Sequence, residues 1–210
     1  MNYTKISQLF VLGLILFSCG CKSNNGKAPS TDLKNCNNLE NQGAKLKSIK
    51  FDDYMISKDT LIILSDDDFL DYPFGCFKIQ SKLIQRLNFL EHKQEIYKST
   101  DEVVKLERFY SKNNFIKFYF VERFIDNKTR YEIVYARISD DKIVFDNGVH
   151  VGMSINEFFS TLYSTIKVNI SDINVVKLYW DVLGISHYYY FEESKLELIS
   201  IKTDFLVNQE

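Results

Sequence analysis

Phe115-Ile116-Lys117-Phe118-Tyr119-Phe120-Val121-Glu122-Arg123-Phe124 decides the class of this chain. Aromatic and β-branched side chains dominate it, and these fit a pleated, half-buried surface. Asp126-Asn127-Lys128-Thr129 follows as a turn, and residues 131–138 return as the hairpin partner. Asp140-Asp141 then turns into a further strand at Ile143-Val144-Phe145. Towards the C-terminus, residues 187–191 turn at Glu192-Glu193-Ser194 into residues 196–201. On the N-terminal side, residues 46–56 and 61–64 make another pair.

Two helices interrupt the strands. Ile155, Phe158, Phe159 and Leu162 fall at i, i+3, i+4 and i+7, which is one apolar stripe. Ser154 before them is a good N-cap, and Glu157 three residues on completes a capping box. The other helix opens at Ser81 and places Leu83, Ile84, Leu87 and Leu90 on one side, without such a box. Both are short, so packing on a sheet must hold them rather than propensity. Strands and helices in runs, not in strict alternation, predict an α+β fold.

An internal echo predicts two tandem units, each a short helix followed by an antiparallel meander. Val103-Val104-Lys105-Leu106 recurs as Val175-Val176-Lys177-Leu178. Lys117-Phe118-Tyr119-Phe120-Val121-Glu122 follows the first copy, and His187-Tyr188-Tyr189-Tyr190-Phe191-Glu192 follows the second. A helix opens at similar distance ahead of each, at Ser81 and at Ser154, with Gly75 and Gly152 just before. The expected units are residues 73–145 and 146–210 of a globular part spanning 41–210.

The first residues carry an address. Lys5 and the amino terminus form a short positive flank, and Leu9-Phe10-Val11-Leu12-Gly13-Leu14-Ile15-Leu16-Phe17 is unbroken apolar sequence. Ser18 is a small residue before Cys19, which completes the layout of a secretory signal over residues 1–18. The run is too short for a bilayer core of ~30 Å, which needs about 20 apolar residues. Leu16-Phe17-Ser18-Cys19 resembles the lipobox of bacterial lipoproteins, including those of Bacteroidetes; Phe17 is bulkier than usual there. The resemblance implies cleavage before Cys19, diacylglyceryl transfer to its thiol and acylation of the new amino terminus. Each buried methylene then contributes about 0.8 kcal/mol, and several acyl chains anchor stably where one does not. Cys21 is a rival site, with a poorer lead-in. Residues 19–40 read as a flexible tether rich in Asn, Ser, Gly26 and Pro29. No acidic cluster of the surface-export kind follows Cys19, which favours an outer membrane location facing the periplasm. The partner implied at this end is membrane lipid, held through acylated Cys19.

Cys36 and Cys76 stand outside the lipobox region and can pair in an oxidising compartment. The alternative is that Cys76 is a small core hydrophobe and Cys36 a tether thiol, since Cys21 makes the free-thiol count odd. Formal net charge is −2, from 26 basic and 28 acidic residues intermixed. That balance argues against a nucleic-acid partner, which selects a basic stripe. With 45% hydrophobic and 15% aromatic content, the chain has enough apolar surface for one substantial core.

Val149-His150-Val151-Gly152-Met153-Ser154-Ile155-Asn156-Glu157-Phe158 resembles the start of the repeat in outer-membrane assembly lipoproteins of the SmpA/BamE type. A similar unit occurs in tandem in the β-lactamase inhibitor protein. The family's following Leu-Gly-x-Pro is absent, with Leu162-Tyr163-Ser164-Thr165 in its place. The resemblance implies a protein-binding scaffold without catalysis. Asp59-Thr60-Leu61 resembles the short O-glycosylation acceptor of Bacteroidetes, with Thr60 as the acceptor.

Chemistry-bearing clusters are scarce. His92, His150 and His187 have no partner at ligand spacing, so no metal or other cofactor is expected. Asp66-Asp67-Asp68 lacks the alternate spacing of a calcium loop and reads as a solvated turn. No Gly-x-Ser-x-Gly occurs, so no catalytic residue is assigned. Trp180, Tyr188 and Tyr190 are the candidate binding surface, with Tyr189 pointing the other way on the same strand. The bland alternative is ordinary cross-strand packing of those rings. The leading expectation is a non-catalytic envelope lipoprotein that binds a protein partner. A carbohydrate-binding lipoprotein using these aromatics, and an enzyme of unrecognised type, are the other readings.

Overall fold

A computed structural model describes residues 53–98, 103–123, 128–163 and 169–204. They all belong to the unit Asn35–Glu210. The expected signal segment, the tether, and Cys19, Cys21 and Cys36 lie outside the described residues. Along the chain run β1 (Asp53–Ser57), β2 (Thr60–Leu64), α1 (Gln80–Arg86), β3 (Glu91–Lys98), β4 (Val103–Tyr110), β5 (Phe115–Arg123) and β6 (Lys128–Ile138). Then follow α2 (Ile155–Leu162), β7 (Val175–Trp180), β8 (Ile185–Glu192) and β9 (Lys195–Thr203). All nine strands join one sheet in the order β1-β2-β7-β8-β9-β6-β5-β4-β3. Neighbours are antiparallel except β2 and β7, which run parallel.

This corrects the expected α+β fold of tandem helix-plus-meander units. The protein is mostly β, a nine-stranded mixed sheet with two short helices among the described residues. The repeated Val-Val-Lys-Leu falls on β4 and β7, which hold unlike places. β4 lies between two antiparallel neighbours, whereas β7 has a parallel partner in β2. Ile143-Val144-Phe145 is not a strand. The end of β6 already pairs with β5 on one side and β9 on the other, so no sheet edge is open there. That stretch instead closes a turn, with Phe145 N donating to Val149 O at 2.9 Å and Gly148 at φ 90°. Residues 91–98, polar and without apolar periodicity, supply the edge strand β3.

Three adjacent cross-strand rows run through all nine strands and define the two faces. The middle row, from β1 to β3, is Tyr54, Ile63, Leu178, His187, Ile201, Ala136, Ile116, Phe109 and His92. From Ile63 to Phe109 every member of that row has zero solvent exposure. Side chains alternate between faces along a strand. The flanking rows therefore lie on the opposite, outer face.

The inner face is covered by the helices and the long connections. Leu83 and Leu87 of the α1 region join the core, as do Leu70, Phe74, Phe145, Val149 and Val151. α2 forms as its sequence dictates. Ser154 Oγ accepts from Glu157 N at 3.2 Å, and Ser154 N donates to Glu157 Oε2 at 2.7 Å. The Ser154 N–H, and after it the Ser154 hydroxyl donating to Oε2 at 2.8 Å, hold the Glu157 carboxyl below its ordinary pKa. The helix then sets Phe158 on β8, 4.7 Å from the Tyr189 ring and 5.3 Å from that of Phe191. Phe158→Ala should cost roughly 3–5 kcal/mol, the range for emptying an aromatic site in a core. Ser154→Ala should cost only about 1 kcal/mol, the worth of a cap. Urea denaturation of the full-length chain checks both, and equal costs would show that α2 is not held by its buried face.

Candidate binding face

The outer rows collect a chemistry that the linear sequence scatters. One row, from β2 to β3, reads Ile62, Lys177, Tyr188, Ser200, Arg137, Phe115, Tyr110 and Glu91. The other reads Leu64, Tyr179, Ser186, Lys202, Tyr135, Lys117, Arg108 and Lys93. These sixteen places hold six cations, five aromatics and one carboxylate. The whole chain, by contrast, carries a formal charge of −2.

Cations and rings are interleaved there. Tyr188 and Tyr190 stack, with centroids 6.3 Å apart and planes 17° from parallel. Lys177 Nζ lies 4.6 Å from the Tyr179 centroid and 5.4 Å from that of Tyr188, and Lys202 Nζ lies 5.9 Å from Tyr188. The Arg108 guanidinium sits 4.8 Å over Phe115, with Lys117 Nζ at 5.7 Å from the same ring. Each ring attracts its cation through the negative π face. Partial burial raises the Tyr190 pKa first and Tyr188 adds to it, while Arg137 opposes the shift. The Arg137 charge thus reaches the tyrosine pair from the neighbouring strands.

At the β4–β5 turn this face deepens into an open groove of about 670 Å³, walled by Lys93, Arg108, Tyr110, Lys112, Phe115 and Arg137. Its floor is tied internally. Asn114 Nδ2 donates to Ser111 Oγ at 2.8 Å, and Asn114 Oδ1 accepts from Ser139 N at 2.8 Å. Glu95 pairs with Arg108 at 2.9 Å and Lys93 at 3.5 Å, partly offsetting two of the four cations. Acidic residues gather elsewhere, as at the β8–β9 turn, where Glu192, Glu193 and Glu197 border a second recess.

The candidate residues read from sequence divide between the faces. Tyr188 and Tyr190 are brought together on the outer face. Trp180 pairs with buried Ile185 and packs against the core, on the other side of the sheet. Cys76 is buried and disulfide-bonded, while Cys36 lies outside the described residues. Asp67 and its neighbours form a turn, with Asp67 Oδ1 accepting from Phe69 N at 2.9 Å. Thr60 opens β2, and its hydroxyl donates to Asp59 at 3.4 Å. His150 Nδ1 lies 2.9 Å from Gly148 O, before α2. His187 and His92 share the middle row but stand five strand spacings apart, roughly 24 Å along the sheet. Among the described residues no three His, Cys, Asp or Glu side chains converge. No helix among them is long and apolar enough to cross a membrane.

Two buried polar nodes escape sequence reasoning. Glu107, fully buried, accepts from Gln80 of α1 at 2.6 Å and Gln94 of β3 at 2.8 Å, with His92 Nε2 also at 2.6 Å. The carboxyl thus pins α1 to the β3–β4 edge. Strand pairing and the packing of α1 bring these four residues together, so spacing gives no hint. His187 is the other node: Nε2 lies 2.9 Å from Leu70 O, and Nδ1 lies 3.1 Å from the Tyr189 hydroxyl. With Nε2 protonated the ring donates to Leu70 O and accepts from Tyr189.

No family model matches the chain, and no curated protein matches it. Among solved structures, it is similar to the crystal structure of the uncharacterized protein YfeY from Escherichia coli, at 15% identity. The match covers 63% of this chain and 95% of that one, with a TM-score of 0.28. A likeness that low carries neither fold nor function across.

Burial lowers the His187 pKa from 6.5 to about 3, opposed by the bond to Leu70 O. The folded state therefore refuses a proton that the unfolded chain takes. The stability this confers is complete above pH 6.5 and falls by about 1.4 kcal/mol per unit as pH drops towards 3. Between pH 7 and 5 the intact protein should lose roughly 2 kcal/mol more than His187→Gln does. Urea midpoints across that range test this, and parallel curves for the two proteins would refute it.

Proposed function

We propose that this protein is a non-catalytic envelope lipoprotein, anchored by acylated Cys19, whose outer sheet face docks an acidic partner protein. The observation that carries the docking is the charge segregation: six cations to two carboxylates, Glu91 and Asp53, on the two full rows, in a chain of net charge −2. Such a face steers association with a negative surface and disfavours a positive one. Tyr and Arg, frequent in these rows, are also the side chains that dominate binding energy when covered. A neutral-sugar platform on Tyr188 is less well supported, because Lys177 and Lys202 bring ammonium groups to that ring.

The anchoring reading rests on the lipobox-like Leu16-Phe17-Ser18-Cys19 after its apolar lead-in. The disulfide at Cys76 supports it, since such bonds persist in oxidising compartments and are rare in the cytosol. With Cys19 acylated, Cys36 or Cys21 remains to pair with Cys76, and Cys36 is our choice. The periplasmic side of an outer membrane is the proposed location, which also keeps nucleic acid away.

Radiolabelled palmitate should enter the intact protein and the Cys21→Ser variant in the native host, but not Cys19→Ser. Label retained in Cys19→Ser, or an intact Met1 terminus by mass spectrometry, would end the anchoring reading. For docking, a photo-crosslinking residue placed at Lys117 should give a defined adduct in cells. The same residue at Val182, 81% exposed but off this face, should not. Lys177→Glu combined with Lys202→Glu should abolish the Lys117 adduct. Equal adducts at both positions would remove the docking face.

A further inference from the structure

The groove at the β4–β5 turn has features that a flat docking face does not need. We infer that it is a binding site for a phosphate monoester, carried on a small polyol or sugar or presented as a lipid headgroup. This goes beyond the docking of a protein and stands without it.

Four cations reach the groove from separate pieces of chain: Lys93 from β3, Arg108 from β4, Lys112 from the turn and Arg137 from β6. No carboxylate lines it. Glu95 takes part of the Arg108 and Lys93 charge, while Lys112 and Arg137 form no ion pair among the described residues. A doubly charged phosphate answers such an excess better than a single carboxylate does. Guanidinium groups offer planar forks of donors for its oxygens, with ammonium groups as point charges beside them. Arg108 is set for this. Its stacking on Phe115 and its bond to Glu95 fix the guanidinium before any ligand arrives.

The polar floor points the same way. Asn114 spends its side chain on Ser111 and Ser139, and Ser139 Oγ donates to Asn113 O at 3.2 Å. Asn114 and Ser139 are thus spent on the turn itself, which leaves the cations as the charged groups open to a ligand. A volume of about 670 Å³ exceeds what a bare phosphate fills. The remainder, walled by Tyr110 and Phe115, suits the organic part of an ester.

The test uses the purified full-length chain and three probes: inorganic phosphate, glycerol 3-phosphate, and phosphatidylcholine vesicles with or without phosphatidic acid. Titration calorimetry follows the soluble probes and vesicle co-sedimentation the third. Saturable binding should weaken roughly tenfold or more in Arg137→Gln, the scale of one charge-assisted hydrogen bond. Lys195→Gln, exposed at the β8–β9 turn and outside the groove, should bind as the intact protein does. Arg137 forms no ion pair among the described residues, so its variant should keep the parent's denaturation midpoint, which is measured alongside. Binding of glycerol 3-phosphate marks a soluble ester, and binding of acidic vesicles alone marks a headgroup; either supports the site. Silence with all three probes, or affinity unchanged by Arg137→Gln, overturns it. That failure with the Lys117 crosslink intact would sink this site alone and leave the docking face standing.

Discussion

Seven consecutive zero-exposure positions, one on each strand from β2 to β4, form the constraint on which this molecule rests. Ile63, Leu178, His187, Ile201, Ala136, Ile116 and Phe109 stand in one cross-strand row, so each fixes the register of its neighbours. A slip of one residue in any strand would turn its whole buried set outward. The row also joins the β7–β9 and β3–β6 meanders, through Ile201 opposite Ala136, into one sheet. His187 is its single polar member among the seven. Satisfied by Leu70 O and Tyr189, it ties the connection after β2 to the middle of the sheet.

With the inner face sealed, the outer face follows by alternation. Antiparallel sheets tolerate one wetted side, and here helices and long connections are spent entirely on the other. Lys and Arg can then stand between aromatic rings on the open side, laying apolar stems along them and keeping charged heads in water. Ser186 and Ser200 lie low among these large neighbours and are nearly buried. The open face is therefore built from the same pairings that build the core. The groove forms where that face meets the β4–β5 turn, whose Asn114 is bonded to Ser111 and Ser139.

The local signals in the sequence were legible where they depended on neighbours in the chain. The Ser154–Glu157 box, the Phe158 stripe and the β5–β6 and β8–β9 hairpins all form, since caps and turns act over a few residues. The assembly was not legible. β2 lies parallel to β7 across more than a hundred residues, and no periodicity announces that pairing. The Val-Val-Lys-Leu echo suggested a duplicated unit, but β-branched residues recur wherever strands do, and its two copies have unlike neighbours. Trp180 and Tyr188 looked like one surface because both are aromatic and close in sequence. The β7–β8 register places them on opposite faces.

Charge shows the same limit in its sharpest form. A net of −2 counts every residue equally, and on that count it argued against a nucleic-acid partner. Yet Arg108, Lys117, Arg137, Lys177 and Lys202, from five different strands, all fall on the parity that faces outward. Parity, not abundance, decides where charge is concentrated in a β protein, because every second residue shares a face. Of the acidic residues outside those rows, Glu192, Glu193 and Glu197 border the β8–β9 turn, Glu107 is buried, and Glu95 stays beside the face on Arg108 and Lys93. The field that a partner meets is set at a distance of about one Debye length, roughly 8 Å in physiological salt. At that range it reports the local face and not the sum. A weakly acidic protein can in this way present a strongly basic side, and any reading of its partners has to start from that side.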